Sequence, residues 1–422
     1  MAIFGPHFIL LPLFYYVGNV LTFFAGILLA GRILSTRLIF YLCVPVMIAR
    51  TFPRVGFYFW GGLRYLVGLL ALYCVIKFFQ GRKKKWIFLS GVMSALSLLT
   101  TIESGGACLL AISLSIFAAW LLDNEKSHRR ELLSAYLTFA GGILIILIPY
   151  FLYLWQTQSL APFLETHYVV LTQIMATFID DPANKPAHLL EFLGGLIPES
   201  KFFKVMTPIY LYLFLGIYCV YRIRKKEVTP QLFSLMVVGF YGLILYICAF
   251  RMILGAHFEM ALLPEKILLF FLLEQGYLKI SQWHRDVKSA RMLGCFRGWA
   301  VSFLLLAVIG SSLGYAFSRY YKRFPAVKWA VSGLGFIPKK DFSLLHDQEK
   351  KPVDIERAKG MVVPAWQAED IEAVVSFLQA HTKKDEAIFA YPELGDFYFF
   401  ADRPSVGRFP NRQFFLDFGK VA

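Results

Sequence analysis

Long apolar segments alternate with short polar ones along most of the chain. A helix that crosses the hydrocarbon core of a bilayer needs about 20 mainly apolar residues, and the chain supplies such segments repeatedly. Ten transmembrane helices are predicted, at residues 8–30, 36–50, 59–79, 86–102, 106–122, 132–154, 206–222, 231–250, 259–279 and 298–318. The second and fourth are short for a full crossing. The pattern therefore predicts an all-α polytopic membrane protein, with a transmembrane bundle over residues 1–318.

The pattern changes after residue 318, where charged residues become frequent. In Ala365–His381 the apolar residues recur at helical spacing, and EAIFAYP (386–392) has the composition of a strand. Residues 319–422 are therefore predicted to form a small α/β domain. One helix and one or two strands bury little apolar surface, so this domain is expected to be incomplete.

Composition supports the membrane class and excludes a nucleic-acid partner. The 422 residues are 58% hydrophobic with a mean hydropathy of +0.58, whereas soluble domains are about 45–50% apolar. The formal net charge of +15 comes from clusters in short loops between the apolar segments, as in membrane proteins. These clusters are Arg32 with Arg37; Arg82, Lys83, Lys84 and Lys85; Lys126, Arg129 and Arg130; Arg222, Arg224, Lys225 and Lys226; and Lys279, Arg285, Lys288, Arg291 and Arg297.

All five clusters fall on the same side of the membrane if all ten segments cross it. Basic loops stay in the cytoplasm. The amino terminus, the loop 155–205 and the domain 319–422 are therefore predicted outside. Within the long loop, HYVVLTQIMATFI (167–179) is expected to lie in the membrane interface as an amphipathic helix.

Cysteines and metal-ligand spacings add little chemistry. The six cysteines lie in or beside the apolar segments and not in the loop 155–205 or the domain 319–422, which excludes a disulfide framework there. The spacing of Cys and His suggests no zinc site, and no cofactor is evident. No carboxylate cluster demands a divalent ion.

Ionisable residues within or beside the apolar segments are the candidate functional groups. An ionisable side chain deep in a bilayer costs roughly 2.5–3.5 kcal/mol even on insertion scales, so it usually faces the bundle interior or water. In the predicted topology these residues gather at the outer side, which predicts a polar outward cavity with charges of both signs. They are Arg54, Arg64, Glu103, Arg251, His257, Glu259, Glu265 and Lys266.

Each candidate also has a structural interpretation. Glu103 either faces the cavity or is a solvated turn residue that caps a helix beginning at Gly105. Arg54 and Arg251 either line the cavity or anchor the chain in the interface, and His257 either binds substrate or makes a structural hydrogen bond.

The adjacent residues Glu265 and Lys266 follow Pro264. They are either an intramembrane structural pair or, because adjacent side chains diverge around a helix, groups that each meet a partner elsewhere. Arg64 is followed by a fully apolar span and is expected to face the cavity.

Three stretches resemble bacterial membrane glycosyltransferases of the GT-C superfamily, of the polyprenyl-phosphate-dependent type related to protein O-mannosyltransferases and aminoarabinose transferases. They are the tail sequence AIFAYPELGDFYFFADRPSVGRFP (387–410), the segment 57–106 with its leading Arg, basic turn and acid before Gly, and RMILGAHFEMALLPEK (251–266). In the last, an Asp that is usual in the family is replaced by Gly255 or its neighbours.

The resemblance implies an enzyme of the bacterial cytoplasmic (inner) membrane that transfers a sugar from a polyprenyl-phosphate carrier to a glycan, lipid or protein acceptor on the outer side. Arg or Lys would hold the carrier phosphate, and a carboxylate would act as general base. On this basis Arg64 and Arg251 are expected to bind the phosphate with help from His257, and Arg54 and Lys266 are further substrate-binding candidates. Glu103 and Glu259 are the weak candidates for catalysis.

The sequence departs from the family at its start. Members carry an acidic catalytic residue in the first outer loop, whereas MAIFGPHFI enters an apolar segment without an acid. The opening span and catalytic loop are therefore expected to be absent, which is consistent with a gene fragment, a misassigned start or an inactive relative. A transporter or flippase of lipid-linked saccharides is the alternative from another class, and a non-catalytic membrane or assembly protein is the third.

Overall fold

The computed structural model describes residues 10–51, 63–123, 125–169, 203–249, 263–286, 349–389 and 396–405, and scattered residues between 299 and 317. The chain divides into two compact units, one from Val17 to Lys328 and one that combines Met1–Tyr16 with Trp329–Ala422.

The first unit is a bundle of helices, which includes the first helix of the chain from Val17 onward. In the described residues these are α1 Leu10–Ile33, α2 Arg37–Thr51, α3 Leu63–Gly81, α4 Lys84–Thr100, α5 Ile102–Leu122, α6 Lys126–Gln156, α7 Leu160–Val169, α8 Phe203–Arg224, α9 Pro230–Ala249 and α10 Leu263–Asp286. Nine of the ten predicted segments coincide with one of these helices. The tenth, 298–318, falls where only scattered residues are described. Of the predicted interfacial helix 167–179, only residues 167–169 are described, at the end of α7.

Four of the described helices are long and apolar enough to cross a bilayer. They comprise Arg64–Gly81, Ile102–Leu122, Ser127–Gln156 and Pro230–Cys248. The apolar parts of α1 and α2, Val17–Ile33 and Arg37–Ile48, are shorter, and α4 has only 17 residues. The structure thus supports a mainly helical, membrane-associated protein.

Small residues on α4 allow its neighbours to come close. Gly91 of α4 and Gly142 of α6 are buried where the two backbones meet. A Cβ atom on Gly91 would overlap the carbonyl oxygen of Phe139, and one on Gly142 would overlap that of Phe88. On the α5 side, Gly105 lies against the backbone of Leu98, which permits the tight turn between α4 and α5. Helices in membranes associate through such close contacts between small residues.

The turn between α1 and α2 is held by polar side chains from three other helices. Glu274 of α10 is fully buried, and its Oε1 accepts hydrogen bonds from the backbone N–H groups of Ser35, at 2.9 Å, and Thr36. Gln231 of α9 donates to the carbonyl of Ile33 at 3.3 Å, and Gln80 of α3 donates to that of Arg32 at 3.4 Å. Glu274 therefore acts as a cap for α2, because the N–H groups at a helix start have no partner within the helix.

These contacts gather the basic turns at one end of the bundle, which we call the basic end. It contains the turns 34–36, 82–83, 123–125 and 225–229, since α3, α4, α5 and α6 run antiparallel through turns of one to three residues. Lys84 at the start of α4 donates to Ser134 near the start of α6 at 2.8 Å, which brings two of these turns together. Four of the five predicted basic clusters thus lie at one end of the bundle, and most of the fifth falls outside the described residues. The side of the membrane that this end faces stays a prediction.

The second unit is a small α/β assembly. Strands β1 Lys350–Pro352 and β2 Val362–Pro364 pair antiparallel, with Lys350 opposite Pro364. Helices α11 Ala365–His381 and α12 Asp396–Ala401 follow. The helix predicted at 365–381 is confirmed, whereas the predicted strand 386–392 is reduced in its described part to one parallel bridge from Ile388 to Ser405. The core contains Val353, Ala358, Ala368, Ile371, Val375, Phe400 and Ala401.

Two charged side chains fix the ends of this unit. Arg403 donates to the carbonyl of Thr382 at 2.8 Å and to that of Gln379 at 3.3 Å, which satisfies carbonyls at the end of α11. Glu372 accepts from the backbone N–H of Asp354 at 2.7 Å and pairs with Lys351 at 3.4 Å. These contacts lower the pKa of Glu372 below its ordinary value of 4.5, the backbone hydrogen bond most strongly.

Gly142→Ala tests the contact between α4 and α6, with the neighbouring Gly141→Ala as its control. A methyl group at 142 must push the helices apart, and overpacking of this kind costs about 1–3 kcal/mol of unfolding free energy. A methyl group at 141 meets no atom within 4 Å and should be neutral or stabilising. Unfolding in detergent measures both, and equal effects at 141 and 142 would contradict the close approach.

Glu372→Gln tests the charged contact in the C-terminal unit. A depressed folded pKa contributes stability that is present above the unfolded value of 4.5 and is lost as the pH falls through the folded pKa. Hydrogen exchange of the α11 amides, corrected for its intrinsic pH dependence, should therefore accelerate in the wild type as the pH falls below 4.5. The variant should show a flatter dependence of exchange on pH. Burial raises the pKa of Asp396, so its contribution to stability changes with pH in the opposite direction, equally in both proteins. Parallel profiles would refute the assignment.

Candidate functional site

The predicted site residues divide into those that the structure describes and those that it does not. Arg54, Arg251, His257 and Glu259 lie outside the described residues. Arg64 is in the first turn of α3, Glu103 in the first turn of α5, and Glu265 and Lys266 in the first turn of α10. All four therefore begin helices that start at the end of the bundle opposite the basic end.

Glu103 does not occupy the capping position considered from the sequence. Helix α5 begins at Ile102 rather than Gly105, and the N-cap is Thr101, whose hydroxyl accepts from the backbone N–H of Ser104 at 3.2 Å. Glu103 follows in the first turn, where a carboxylate is stabilised by the helix dipole. Its side chain is half-buried.

Beside Glu103, four helices meet in a cluster of hydroxyl groups. Ser104 of α5 accepts a hydrogen bond from Ser97 of α4 at 3.1 Å and lies 3.0 Å from the hydroxyl of Tyr241 of α9. The thiol of Cys108 donates to the carbonyl of Gly68 of α3 at 3.5 Å. A Cβ atom on Gly68 would lie 2.6 Å from the Ser104 hydroxyl and 2.9 Å from that of Tyr241. Only glycine at 68 therefore lets α3 approach this hydroxyl cluster.

Glu265 and Lys266 form a buried ion pair with each other. The Nζ atom of Lys266 lies 2.8 Å from Oε1 of Glu265, and the two residues are 5% and 6% exposed. Of the two alternatives drawn from the sequence, the structure shows the structural pair. Near the start of a helix, two long side chains bend toward each other when no water solvates them, because an unpaired buried charge costs several kcal/mol.

Two buried polar atoms at the pair have no hydrogen-bond partner among the described residues. Oε2 of Glu265 is buried and accepts no hydrogen bond there, and the hydroxyl of Tyr212 on α8 is also buried without a partner among those residues. Glu265 is close enough to Tyr212 and to Tyr246 of α9 to act on both electrostatically. A Cβ atom on Gly242 would overlap the Tyr212 hydroxyl, so this glycine makes room for the ring.

The hydroxyl cluster and the ion pair lie at the same depth in the bundle. Tyr241 contacts the hydroxyl cluster. The next residue, Gly242, contacts Tyr212 and Pro264, which lie beside the ion pair. Consecutive helical residues differ by about 1.5 Å in height and point in different directions. The polar groups at this depth thus lie on two sides of α9, and Arg64 lies one turn beyond Gly68.

This arrangement can bind an anionic and hydroxyl-rich ligand. Lys266 and Arg64 supply positive charge, the free oxygen of Glu265 accepts hydrogen bonds, and Tyr212 can donate or accept. Of His, Cys, Asp and Glu in the described parts of the chain, no three come together as a possible metal site. Cys43, Cys74, Cys108, Cys219 and Cys248 are free thiols.

Several of these residues were not identified from the sequence. Ser90, Ser94 and Ser97 recur on one face of α4, and all three are fully buried, so their spacing could have indicated a polar helix contact. Tyr212 and Tyr241 carry no such signal, because tyrosine is common in the apolar segments of this chain.

Tyr241→Phe should lower the free energy of unfolding by about 0.5–1.5 kcal/mol, since it removes a hydroxyl that is hydrogen-bonded in the cluster. Tyr212→Phe is the matched control, because the hydroxyl it removes is buried without a partner in the described structure. It should leave stability unchanged or raise it. Thermal unfolding in detergent compares the two, and a loss at Tyr212 as large as at Tyr241 would contradict this difference.

Comparison with known proteins identifies no family for this chain. A scan against protein-family models finds no match, and a search of curated proteins finds none either.

Proposed function

We propose that the chain is an integral membrane glycosyltransferase that moves a sugar from a polyprenyl-phosphate carrier to an acceptor at the outer face of the membrane. The observation that carries the proposal is the buried Glu265–Lys266 pair, with an oxygen of Glu265 and the hydroxyl of Tyr212 unused beside it. Buried ionisable residues in membrane proteins usually mark substrate pathways rather than stability.

The location of the pair agrees with this function. It lies at the end of the bundle opposite the basic turns, and basic turns stay in the cytoplasm. With ten crossings in a bacterial inner membrane, the pair, Arg64 and Glu103 would lie toward the outer surface. A carrier anchored in the bilayer would present its phosphate at this depth.

The described residues supply three parts of the chemistry. Arg64 binds the carrier phosphate, and charge-assisted contacts of this kind are about twice as strong as neutral hydrogen bonds. Lys266 adds a second positive charge when the phosphate replaces Glu265 as its partner. Positive charge at this point also stabilises the phosphate as the leaving group, while Glu103 remains a weak candidate for the base.

A transporter of lipid-linked saccharides is the second candidate, and one observation favours it. Glu274 lies nine residues after Glu265 on α10, about 13.5 Å further along the helix, so carboxylates occur in both halves of the bundle. Against transport, Oε1 of Glu274 is held by two backbone N–H groups of the α1–α2 turn. That contact gives Glu274 a role in the stability of the turn, although its Oε2, like that of Glu265, is buried without a partner among the described residues.

Arg64→Ala should weaken the binding of polyprenyl phosphate by roughly 10- to 100-fold, the value of hydrogen bonds to a charged group. It should also abolish sugar transfer in membranes supplied with the lipid-linked donor. Ligand-induced thermal stabilisation of the purified protein measures binding without knowledge of the sugar. Lys225→Ala, at the basic end, is the control and should change neither.

The two candidate functions differ in a second assay. Vesicles that contain the protein and a labelled polyprenyl-phosphate sugar should release the labelled sugar to an acceptor if the protein is a transferase. Movement of the intact lipid between leaflets without release would instead establish a flippase. Unchanged carrier binding in Arg64→Ala would refute the phosphate assignment in either case.

A further inference from the structure

At the basic end, three cations surround two aromatic rings where α1, α3 and α4 meet. Lys77 Nζ lies 4.8 Å from the ring centre of Trp86 and 5.9 Å from that of Tyr73. Lys85 Nζ lies 5.6 Å from Trp86, and the guanidinium of Arg32 lies 5.7 Å from Tyr73 and donates to its hydroxyl at 3.4 Å. We call these five residues the aromatic–cation cluster.

The cluster lacks an acid among the described residues. Neither Arg32, Lys77 nor Lys85 forms an ion pair there, and the nearby Glu274 is fully buried and turned to the backbone of Ser35 and Thr36. Two other stacked cations at the same end share a carboxylate, whereas Arg82 over Phe78 and Arg129 over Trp120 form no ion pair among the described residues. Arg222 lies over Tyr218 and pairs with Glu227 at 2.9 Å, and Lys225 over Tyr221 also interacts with Glu227.

The adjoining helix start makes the excess of positive charge larger. Helix α4 begins with Lys84 and Lys85 after Lys83, has no acidic residue in its first turn, and receives no hydrogen bond from a capping side chain. Cations at the start of a helix oppose its dipole. An anion bound between Lys77 and Lys85 would offset both the mutual repulsion of the cations and this unfavourable position.

Exposed apolar side chains continue from the cations along two of the helices. On α1, Leu28 and Phe24 are 50% and 55% exposed, one and two turns from Arg32. On α4, Leu89 is 37% exposed, one turn from Lys85. A ligand that fits both parts has a negative head and apolar chains that run along the helices.

We propose that the aromatic–cation cluster binds the phosphate headgroup of an anionic phospholipid, with its acyl chains against the exposed faces of α1 and α4. The site lies at the end of the bundle opposite the glycosyl-transfer site and is independent of it. Basic groups immediately beside a transmembrane helix attract anionic lipids, and the rings of Tyr73 and Trp86 hold the cations in place.

Native mass spectrometry of the full chain in mild detergent, titrated with phosphatidylglycerol or phosphatidylcholine, tests the proposal. Phosphatidylglycerol should bind at least about tenfold more tightly, from the contribution of several basic residues near a membrane surface. Lys85→Gln and Lys77→Gln should each weaken its binding by about fivefold and leave phosphatidylcholine unchanged. Lys85 is exposed, so its variant keeps the test valid if Lys77→Gln fails to fold.

Lys225→Gln is the matched control, because it removes a stacked cation at the same end whose cluster contains an acid. It should change the affinity less than twofold. Equal affinity for the two lipids, or an equal loss in Lys225→Gln, would overturn the proposal. Displacement of the lipid by millimolar inorganic phosphate would also overturn it, in favour of a soluble phosphorylated ligand, whereas Arg64→Ala should not affect this titration.

Discussion

The small surface of α4 is the constraint on which the bundle depends. Ser90, Gly91, Ser94, Ala95 and Ser97 of this helix are buried, and α3, α5 and α6 all pack around it. In a bilayer, apolar side chains gain little by leaving lipid for protein, so close backbone contact and hydrogen bonds must supply the specificity. The glycine contact to α6 and the Ser97–Ser104 hydrogen bond supply one of each.

From this arrangement follows a division of the ionisable groups. Because α3 and α5 pack against α4, the positions of Gly68 and Ser104 along the bundle axis are fixed. Both residues contact Tyr241 of α9. The next residue of α9 contacts the surroundings of Glu265, so packing alone places the ion pair in the half of the bundle away from the basic turns. Glu274, in the other half, stabilises the α1–α2 turn. Each of the two carboxylates of α10 has one buried oxygen without a partner among the described residues. They differ in the partner of the other oxygen, which is the side chain of Lys266 for Glu265 and the backbone of the α1–α2 turn for Glu274.

Much of the helical framework could be predicted, because hydrophobic length is a local property of the sequence. Nine predicted segments coincide with helices, and the helix 365–381 has the predicted bounds. The detailed contacts could not be predicted in the same way. The Thr101 cap moves the start of α5 by three residues, from Gly105 to Ile102, and such a shift depends on one hydroxyl. The Glu274 cap depends on neighbours more than 20 residues away in the sequence, and the Glu265–Lys266 pair depends on the local dielectric. The periodicity of apolar residues encodes neither.

Charged residues of the tail stretch that resembles the GT-C family make structural contacts within the C-terminal unit. Arg403 lies in the tail stretch on which the resemblance partly rests, and it donates to carbonyls at the end of α11. Asp402 of the same stretch pairs with Arg357, whose guanidinium lies over Phe399. These residues therefore have structural reasons to be what they are, since they close a small unit with little core. The tail motif is therefore explained by the architecture of the C-terminal unit, and the buried charges of the bundle remain the basis for proposing sugar transfer.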